Sequence, residues 1–364
     1  MRPNENKFSL FGIVSKTGFS SLLGRLGLIC SLTGMFAGTP RADTRLEIQT
    51  GPLLKVTGEV GTTNQIQYVT TLDSTNHWIA LTNLVLSNSP CWLTDISAAG
   101  AAQRFYRAEI LTGTNQVNPP NPDPSHWVWI FPGTFMMGSP SNELDRLPDE
   151  VQHPVTISQG FWMGKSEVTQ AEYWAVMGNN PSQFTGYGKF PVEQVTWPNA
   201  TNYCGMLTQK ERSAGSLPTG YAYRLPTEAE WEYCCRAGTA TATAYGNGLS
   251  SAQANFNGNN PYGGAAQGPN LEKTAAVASY APNAWGLYDM HGNVWEWCGD
   301  WYGAYPTGSV TDPKGPATGT ERVCRGGSWD YDGSGCRSAY RGSLDPSLGF
   351  SNLGFRPVLA PELP

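Results

Sequence analysis

In the first third of the chain, short apolar stretches alternate with polar positions at a period of two. Ile66 and Tyr68 stand against Gln65 and Gln67, which is the pattern of a strand with one buried face. Five or six such stretches lie between turn residues, and they predict a small all-β sandwich over 43–112. Nothing in this segment points to catalysis, so we expect a spacer or adhesion module.

Three later stretches change to a helical pattern with threonine caps. The third carries a T-x-x-E capping box and places Trp231 with Cys234 and Cys235 on or near its buried side. The predicted limits are Thr169 and Gly178, then Thr196 with Pro198 in the first turn, then Thr227 and Gly238. Beyond the third helix the chain is rich in Gly, Asn and Pro. We therefore expect sparse regular structure there, ordered by aromatic packing or bound ions.

The segment between these two patterns contains four prolines among polar residues, in NPPNPDP. Such composition is typical of an extended linker. It predicts a linker over 113–125 and a second domain over 126–362.

The N-terminus combines positive residues with a short apolar run, LGLICSLTGMFAG (Leu26–Gly38), followed by small residues. This pattern predicts a secretory signal peptide over 1–42, cleaved between Ala37 and Asp43. The alternative is an uncleaved membrane anchor. The sequence thus predicts a secreted protein, in the periplasm or outside the cell.

The charge balance narrows the classes of partner. The net charge is −6, and no cluster of Lys and Arg stands out, so we expect no nucleic-acid partner. The chain has only four histidines, which argues against a multi-histidine iron or zinc centre. It has eight cysteines, whose pairing a sequence does not assign.

Seven blocks in the second domain follow one another in a specific order. They are FPGTFMMGSP (131–140), KSEVTQAEYWAVMGNNPS (165–182), PVEQVTWPNATNYC (191–204), YRLPTEAEWEYCCRAG (223–238), GLYDMHGNVWEWCGDWY (286–302), RVCRGGSW (322–329) and LGFRPV (353–358). Together they resemble the sulfatase-modifying-factor family, whose founding activity is that of the formylglycine-generating enzyme. The resemblance implies an α+β, C-type-lectin-like fold with little regular secondary structure.

The resemblance also implies a copper chemistry that this chain carries incompletely. Founding members oxidise a sulfatase cysteine to formylglycine with molecular oxygen, using two cysteines five positions apart that bind Cu(I). The second matches Cys336, whereas the first falls on Tyr331. A phenol does not replace a soft thiolate as a Cu(I) ligand or in thiol exchange. Ser328 and Trp295 match two further active-site positions, although Trp295 could equally pack a core face.

Two alternatives for the thiols stay open. Cys324 could be the second copper ligand, but in a strand it points to the face opposite Val323. Cys336 could instead be a buried, inert residue, or half of a disulfide with Cys298 or Cys324. The family's helix cysteines match Cys204 and Cys235, while their disulfide partners match Arg341 and Pro357. By that resemblance Cys204 and Cys235 are free and buried.

Calcium is the cofactor that the resemblance implies most directly. The ligands carried over are Asp289, the carbonyls of Gly292 and Val294, and Glu296. These supply the hard oxygens and carboxylate charge that Ca²⁺ prefers. In the alternative, Asp289 caps a turn and Glu296 pairs with an arginine such as Arg337. A second calcium site would use Asn255 and the carbonyl of Phe256, but the family's aspartate falls there on Pro269.

Two main functions follow from these observations. In the first, the chain binds a peptide, protein or glycan through a surface containing Trp329, Tyr331 and Tyr340, because such residues give large contact areas at low entropic cost. In the second, it is a formylglycine-generating oxidase that binds copper and acts on a sulfatase. A third, an iron-dependent sulfoxide synthase, lacks the necessary histidine cluster. Whether the chain is an enzyme stays open at this level.

Overall fold

The computed structural model describes the backbone of seven strands between residues 12 and 110, and residues 122–362 other than Tyr187. Contacts divide the chain into two units, Met1–Asn118 and Pro119–Pro364. The division falls within the predicted linker 113–125. Most of the predicted signal peptide lies outside the described residues.

The first unit contains two antiparallel sheets in its described part. One has the strand order β1-β7-β4-β5 and the other β2-β3-β6. The strands are β1 (Gly12–Ser15), β2 (Arg45–Ile48), β3 (Leu53–Thr57), β4 (Thr63–Val69), β5 (Ile79–Val85), β6 (Cys91–Thr94) and β7 (Gln103–Ile110). This all-β organisation matches the prediction. The first strand, however, lies within the segment predicted as a signal peptide.

The second unit combines short sheets with three described helices. The helices are α1 (Gln170–Met177), α2 (Trp197–Ser213) and α3 (Glu228–Arg236), with a 3-10 turn over Gly333–Cys336. The strands are β8 (Trp127–Ile130), β9 (Gly133–Met137), β10 (His153–Ile157), β11 (Phe161–Gly164), β12 (Tyr221–Arg224), β13 (Trp295–Trp301), β14 (Val310–Thr311), β15 (Arg322–Arg325), β16 (Gly342–Leu344), β17 (Leu353–Gly354) and β18 (Val358–Pro361). They form sheets in the orders β14-β10-β9, β12-β18-β11-β8 and β16-β15-β13-β17. This mixed α+β fold with little regular structure confirms the predicted fold class.

The helix starts follow the predicted capping chemistry. Thr169, Thr196 and Thr227 each accept a hydrogen bond from the backbone three residues on, and each has a reciprocal partner side chain. Gly178 ends α1 in the left-handed conformation, as predicted. The predicted end of α3 at Gly238 is one residue late. Ala237 takes the left-handed cap position, with φ 44°, and its N–H bonds to the carbonyl of Tyr233.

Helix α3 lies at the centre of the second unit, since every one of its residues is buried. Its Trp231 is fully buried and joins an apolar cluster with residues of β8 to β11. A second cluster gathers Tyr173 of α1, Tyr203 of α2 and Trp297 of β13. Aromatic and sulfur-containing side chains on short elements thus contribute much of the core. Their packing holds together a unit that has few long helices or strands.

The three glutamates of α3 are paired with arginines, one from α3 itself and the others from outside the helix. Glu228 binds Arg341 at 2.6 Å, Glu230 binds Arg224 at 2.7 Å, and Glu232 binds Arg236 at 2.8 Å as well as Arg325. Glu232 also accepts the N–H of Gly138 at 2.8 Å. A buried charge is tolerated only when it is paired and hydrogen-bonded in this way. These ion pairs therefore fix which loops can surround α3.

Among the described residues, no helix combines the length and the apolar character needed to cross a membrane.

We expect Glu232→Gln to lower the free energy of unfolding by about 3–5 kcal/mol, because it removes the buried carboxylate that Arg236 and Arg325 share. Urea denaturation of the full chain measures this. The matched control is Glu362→Gln, which breaks an ion pair with Arg212 whose side chains are 50% and 41% exposed. That change should cost at most about 1 kcal/mol. Equal effects of the two substitutions would contradict the assigned importance of the buried network.

Candidate functional site

The candidate site begins at a Gly-Gly turn after β15. Gly326 and Gly327 have φ values of 97° and 75°, which residues other than glycine rarely adopt. A Cβ on Gly327 would lie 2.5 Å from Sγ of Cys336. The turn therefore brings the backbone against the thiol and directs the following residues, 328–332, along the surface.

Three aromatic residues meet at this surface. The ring of Tyr331 lies 5.2 Å from that of Trp295 in an edge-to-face arrangement, and Tyr340 lies 5.8 Å from Trp295. The hydroxyl groups of Tyr331 and Tyr340 are hydrogen-bonded at 3.0 Å. Tyr331 is 39% exposed, whereas Trp295 is almost fully buried. We call Tyr331 and Tyr340 the tyrosine pair; it forms an amphipathic platform on a buried indole.

Trp329 lies apart from the tyrosine pair and has other partners. Its backbone N–H donates to the carbonyl of Asn293 at 2.9 Å, and its indole Nε1–H donates to the carbonyl of Ser351 at 3.1 Å. The ring of Phe184 contacts it edge-to-face at 5.3 Å. The structure therefore brings Tyr331 and Tyr340 together and orients Trp329 separately.

Ser328 is fully buried and is held by a small polar network. Its Oγ–H donates to Asp330 Oδ1 at 2.7 Å, and Asn352 Nδ2 donates to the same carboxylate at 3.0 Å. Sequence reasoning identified Ser328 but missed Asp330 and Asn352. No local pattern reveals Asn352, because it reaches Asp330 from 22 residues away.

The thiol of Cys336 is fully buried beside the side chain of Phe256. Burial raises the pKa of Cys336, and a hydrogen bond from the Ser328 backbone only partly opposes this. A raised pKa keeps the thiol protonated, whereas metal binding and nucleophilic attack need a thiolate. The environment is that of a core residue.

The six cysteines of the second unit are all free and buried. The alternative in which Cys336 forms a disulfide with Cys298 or Cys324 is therefore wrong. Cys204 and Cys235 are free and buried, as expected. Cys324 and Val323 pack into different clusters, which agrees with their predicted opposite faces. A Cβ on Gly342 would meet the Cys324 sulfur at 2.7 Å, so this thiol is enclosed by β16.

The two carboxylates of the predicted calcium turn, Asp289 and Glu296, bind protein groups in this structure. Asp289 accepts the N–H of Ala278 at 2.7 Å. Both oxygens of Glu296 bind the guanidinium of Arg356 at 2.6 Å, and one also accepts the indole N–H of Trp231. The sequence suggested Arg337 as an example of an arginine that pairs with Glu296. Arg337 binds Glu150 instead, at 2.6 Å.

Glu167 completes this region, although no sequence pattern pointed to it. It is buried, and its Oε2 has no hydrogen-bond donor, while Oε1 accepts from Asn293 Nδ2 at 3.1 Å. Its carboxyl faces that of Asp289. Burial, followed by the charge of Asp289, raises the pKa of Glu167. Burial raises the pKa of Asp289 to about 6. Two buried carboxyl groups that lie this close favour a shared proton or a cation between them.

The residues of the second predicted calcium site are joined to the same turn. The Asn255 carbonyl accepts the N–H of Asn293 at 2.7 Å, and a Cβ on Gly292 would lie 2.3 Å from that oxygen. The Gly292 and Val294 positions are buried in this turn. Phe256 is fully buried in the apolar cluster around Cys336. Among the described residues, no group of three or more His, Cys, Asp and Glu side chains has the geometry of a metal site.

Glu193, which sequence reasoning also missed, supports the loop that packs against Trp329. Glu193 is fully buried and accepts the N–H of Phe184 at 2.7 Å, and its second oxygen has no partner. Burial raises the pKa of Glu193 to about 7. The carboxyl therefore anchors the loop whose Phe184 ring packs against Trp329.

Comparison with known proteins identifies the family. The model of the sulfatase-modifying factor enzyme 1-like domain matches residues 114–361. The formylglycine-generating enzyme of Bos taurus is 37% identical over 320 residues, covering 71% of this chain and 81% of that enzyme. The enzyme of the same name from Streptomyces coelicolor is 40% identical over 194 residues. This match covers 50% of the chain and 57% of the enzyme, so the chain spans little more than half the length of that relative.

A solved structure shares the fold of the second unit. Treponema denticola variable protein 1 is 31% identical, with a TM-score of 0.54, and the match covers 65% of this chain and 95% of that protein. The ordered sequence blocks, the fold and the domain match agree with one another. The chain therefore belongs to the sulfatase-modifying-factor family, with its family domain at residues 114–361.

Proposed function

We propose that this chain is an exported ligand-binding member of its family and that it uses the surface around the tyrosine pair and Trp329. The position of Tyr331 carries the proposal. Where the resemblance expects the first copper-binding thiol, a phenol packs on Trp295 and bonds to the Tyr340 hydroxyl. The ligand class is a peptide, a protein or a glycan.

The nature of the surface supports recognition rather than oxidation. Tyr331 is 39% exposed, and Phe350, which precedes the Ser351 that binds the Trp329 indole, is 44% exposed. Aromatic residues that combine an apolar body with a hydrogen-bonding tip are enriched in binding sites. The raised pKa of Cys336 further disfavours the thiolate that Cu(I) requires.

The alternative is a formylglycine-generating oxidase. Cys336, Ser328 and Trp295 occupy the matching positions and lie in one region of the second unit. Founding members use two thiolates to hold copper, and here Cys324 would have to be the second. Its thiol is enclosed by β16, so the alternative needs this strand to move.

We expect the reduced full chain to bind Cu(I) no more tightly than its Cys336→Ser variant, because one thiol does not form a two-thiolate site. Competition with a Cu(I) chelator measures this. Tyr331→Cys restores the thiol pair and should bind at least about tenfold more tightly than the wild type. Tight wild-type binding that is lost in Cys336→Ser would favour the oxidase, which peptide mass spectrometry on a sulfatase-derived cysteine peptide would then test.

Peptide and glycan arrays probed with the full chain test the binding proposal directly. For any ligand captured, Tyr331→Ala and Trp329→Ala should weaken binding by about tenfold or more, as expected for central aromatic contacts. Trp174→Ala is the matched control, because this indole is 59% exposed on α1. Binding that is lost equally with Trp174→Ala, or unaffected by all three substitutions, would contradict the proposed surface.

We also propose a structural calcium ion at the turn around Asp289. The residues partly fit the expected ligand set. Asp289 and the carbonyls of Gly292 and Val294 belong to one turn, but Glu296 is committed to Arg356 through both oxygens. Glu167, whose Oε2 lacks a donor, is the better second carboxylate. A cation there would relieve the repulsion between the facing carboxyl groups. For Asn255 and Phe256 we propose a supporting role in holding this turn.

Calcium should raise the free energy of unfolding of the full chain by about 2.7 kcal/mol at 100 times its dissociation constant. Thermal unfolding with Ca²⁺ and with excess chelator measures the difference. Asp289→Asn should abolish the effect, whereas Glu362→Gln, an exposed carboxylate change elsewhere, should leave it intact. Equal calcium stabilisation of wild type and Asp289→Asn would rule out this site.

A further inference from the structure

The loop between α1 and α2 is held against the protein by side chains of neighbouring segments. We call residues 179–190, other than Tyr187, the Phe184 loop; they form no helix or strand, so no regular ladder of backbone hydrogen bonds fixes them. Gln170 Nε2 donates to the carbonyl of Phe184 at 2.9 Å, and Glu193 Oε1 accepts the Phe184 N–H at 2.7 Å. Phe184 is therefore bound once by an amide and once by a carboxyl group.

The other side-chain attachments of the Phe184 loop are neutral amides and a serine hydroxyl. Asn180 Nδ2 donates to Gln170 Oε1 at 3.1 Å, and Gln194 Nε2 donates to Gln183 Oε1 at 3.2 Å. Amides and hydroxyls keep the same charge across the physiological pH range. Among the described residues, the carboxyl group of Glu193 is thus the attachment of this loop that a proton can change.

The carboxyl group of Glu193 is fully buried with an incomplete set of hydrogen bonds. Its Oε2 has no partner, and the groups that oppose the effect of burial are the backbone N–H groups of Phe184 and Gln183. An ionised carboxylate has acceptor sites on both oxygens, and an unbonded charged oxygen in the interior is unfavourable. A neutral carboxyl group avoids that charge. The closed loop therefore favours the protonated form of Glu193.

No cation compensates this carboxyl group among the described residues. The ionisable side chains on the segments that pack around it are Glu167, Glu172, Lys189, Asp330 and Arg356. The acidic ones accept hydrogen bonds from other groups, and Arg356 is paired with Glu296. None of the five forms an ion pair or a hydrogen bond with Glu193. Burial and the N–H groups of the loop therefore govern its titration.

We propose that Glu193 is a pH-sensitive switch that closes the Phe184 loop against Trp329. The protonated carboxyl group allows the closed state, in which the Phe184 ring lies edge-to-face with the indole at 5.3 Å. Loss of the proton favours an open loop, because opening admits water to the carboxylate and separates Phe184 from Trp329. The regulation of binding by this switch rests on the ligand surface proposed above, whereas the movement of the loop does not.

The direction and the pH window follow from the two states of the loop. Burial raises the pKa of Glu193 from 4.5 to about 7 in the closed loop, while opening returns the carboxyl group to water and to its ordinary pKa. The closed state is fully stabilised below the lower value, and this stabilisation is lost as the pH rises through the higher one. The equilibrium constant for opening should therefore increase at least about tenfold between about pH 5 and about pH 7.5, and level off above that range.

Hydrogen–deuterium exchange of the full chain, read in peptides that cover the Phe184 loop and corrected for the intrinsic exchange rate, measures the opening. We expect the pH-dependent increase in the wild type and none in Glu193→Gln, which keeps an acceptor for the Phe184 N–H without a charge. Glu362→Gln, whose exposed carboxylate pairs with Arg212, is the matched control and should keep the wild-type profile. Wild-type protection that does not change with pH, or an equal change in Glu193→Gln, would overturn the switch. Neither result bears on the proposed binding function, because no ligand is present.

A carbon-13 titration of the glutamate carboxyl groups in the wild type keeps the test decisive if Glu193→Gln does not fold. The carboxyl group of Glu193 should titrate at about pH 7, and the exchange of the Phe184 loop should level off at the same pH. A Glu193 pKa at the ordinary glutamate value, or exchange that levels off at a different pH, would contradict the proposal.

Discussion

The pairing of buried carboxylates with buried arginines is the constraint on which the second unit depends. Glu232 of α3 binds Arg236 from its own helix and Arg325 from β15, and Glu228 binds Arg341. An isolated charge in such an interior would cost several kcal/mol, so each group requires its partner in place. The short strands and long loops around α3 thus have few alternative arrangements, although regular hydrogen-bond ladders are sparse.

The same ionic core positions the candidate site. Arg325, beside α3, donates to the carbonyl of Tyr340. Arg337, whose guanidinium lies 5.7 Å from the centre of the Tyr340 ring, is itself bound by Glu150 and Glu143. Tyr340 therefore packs on arginine side chains whose guanidinium groups are held in place by buried carboxylates. The exposed residues of such a surface can therefore be substituted while the backbone beneath them keeps its position.

In the candidate site, the residues that hold the loop differ from the residue that it exposes. Gly327 packs against the sulfur of Cys336, and Ser328 is bound by Asp330. Tyr331 contributes a ring that packs on Trp295. The phenol at position 331 is therefore accommodated without disturbing the Gly-Gly turn. Packing of the turn and exposure of the ring thus depend on different residues of one loop.

The sequence by itself determined the features that depend on neighbours along the chain. The capping boxes, such as Thr227 with Glu230, are set by groups three residues apart, and the ordered blocks identified the family and its fold. Only the tertiary structure decided which arginine pairs with Glu296, because Arg356 lies 60 residues away. It also decided that Glu167 lies close to Asp289. Local hydrogen bonds follow from sequence spacing, whereas buried charge pairs depend on the path of every loop between them.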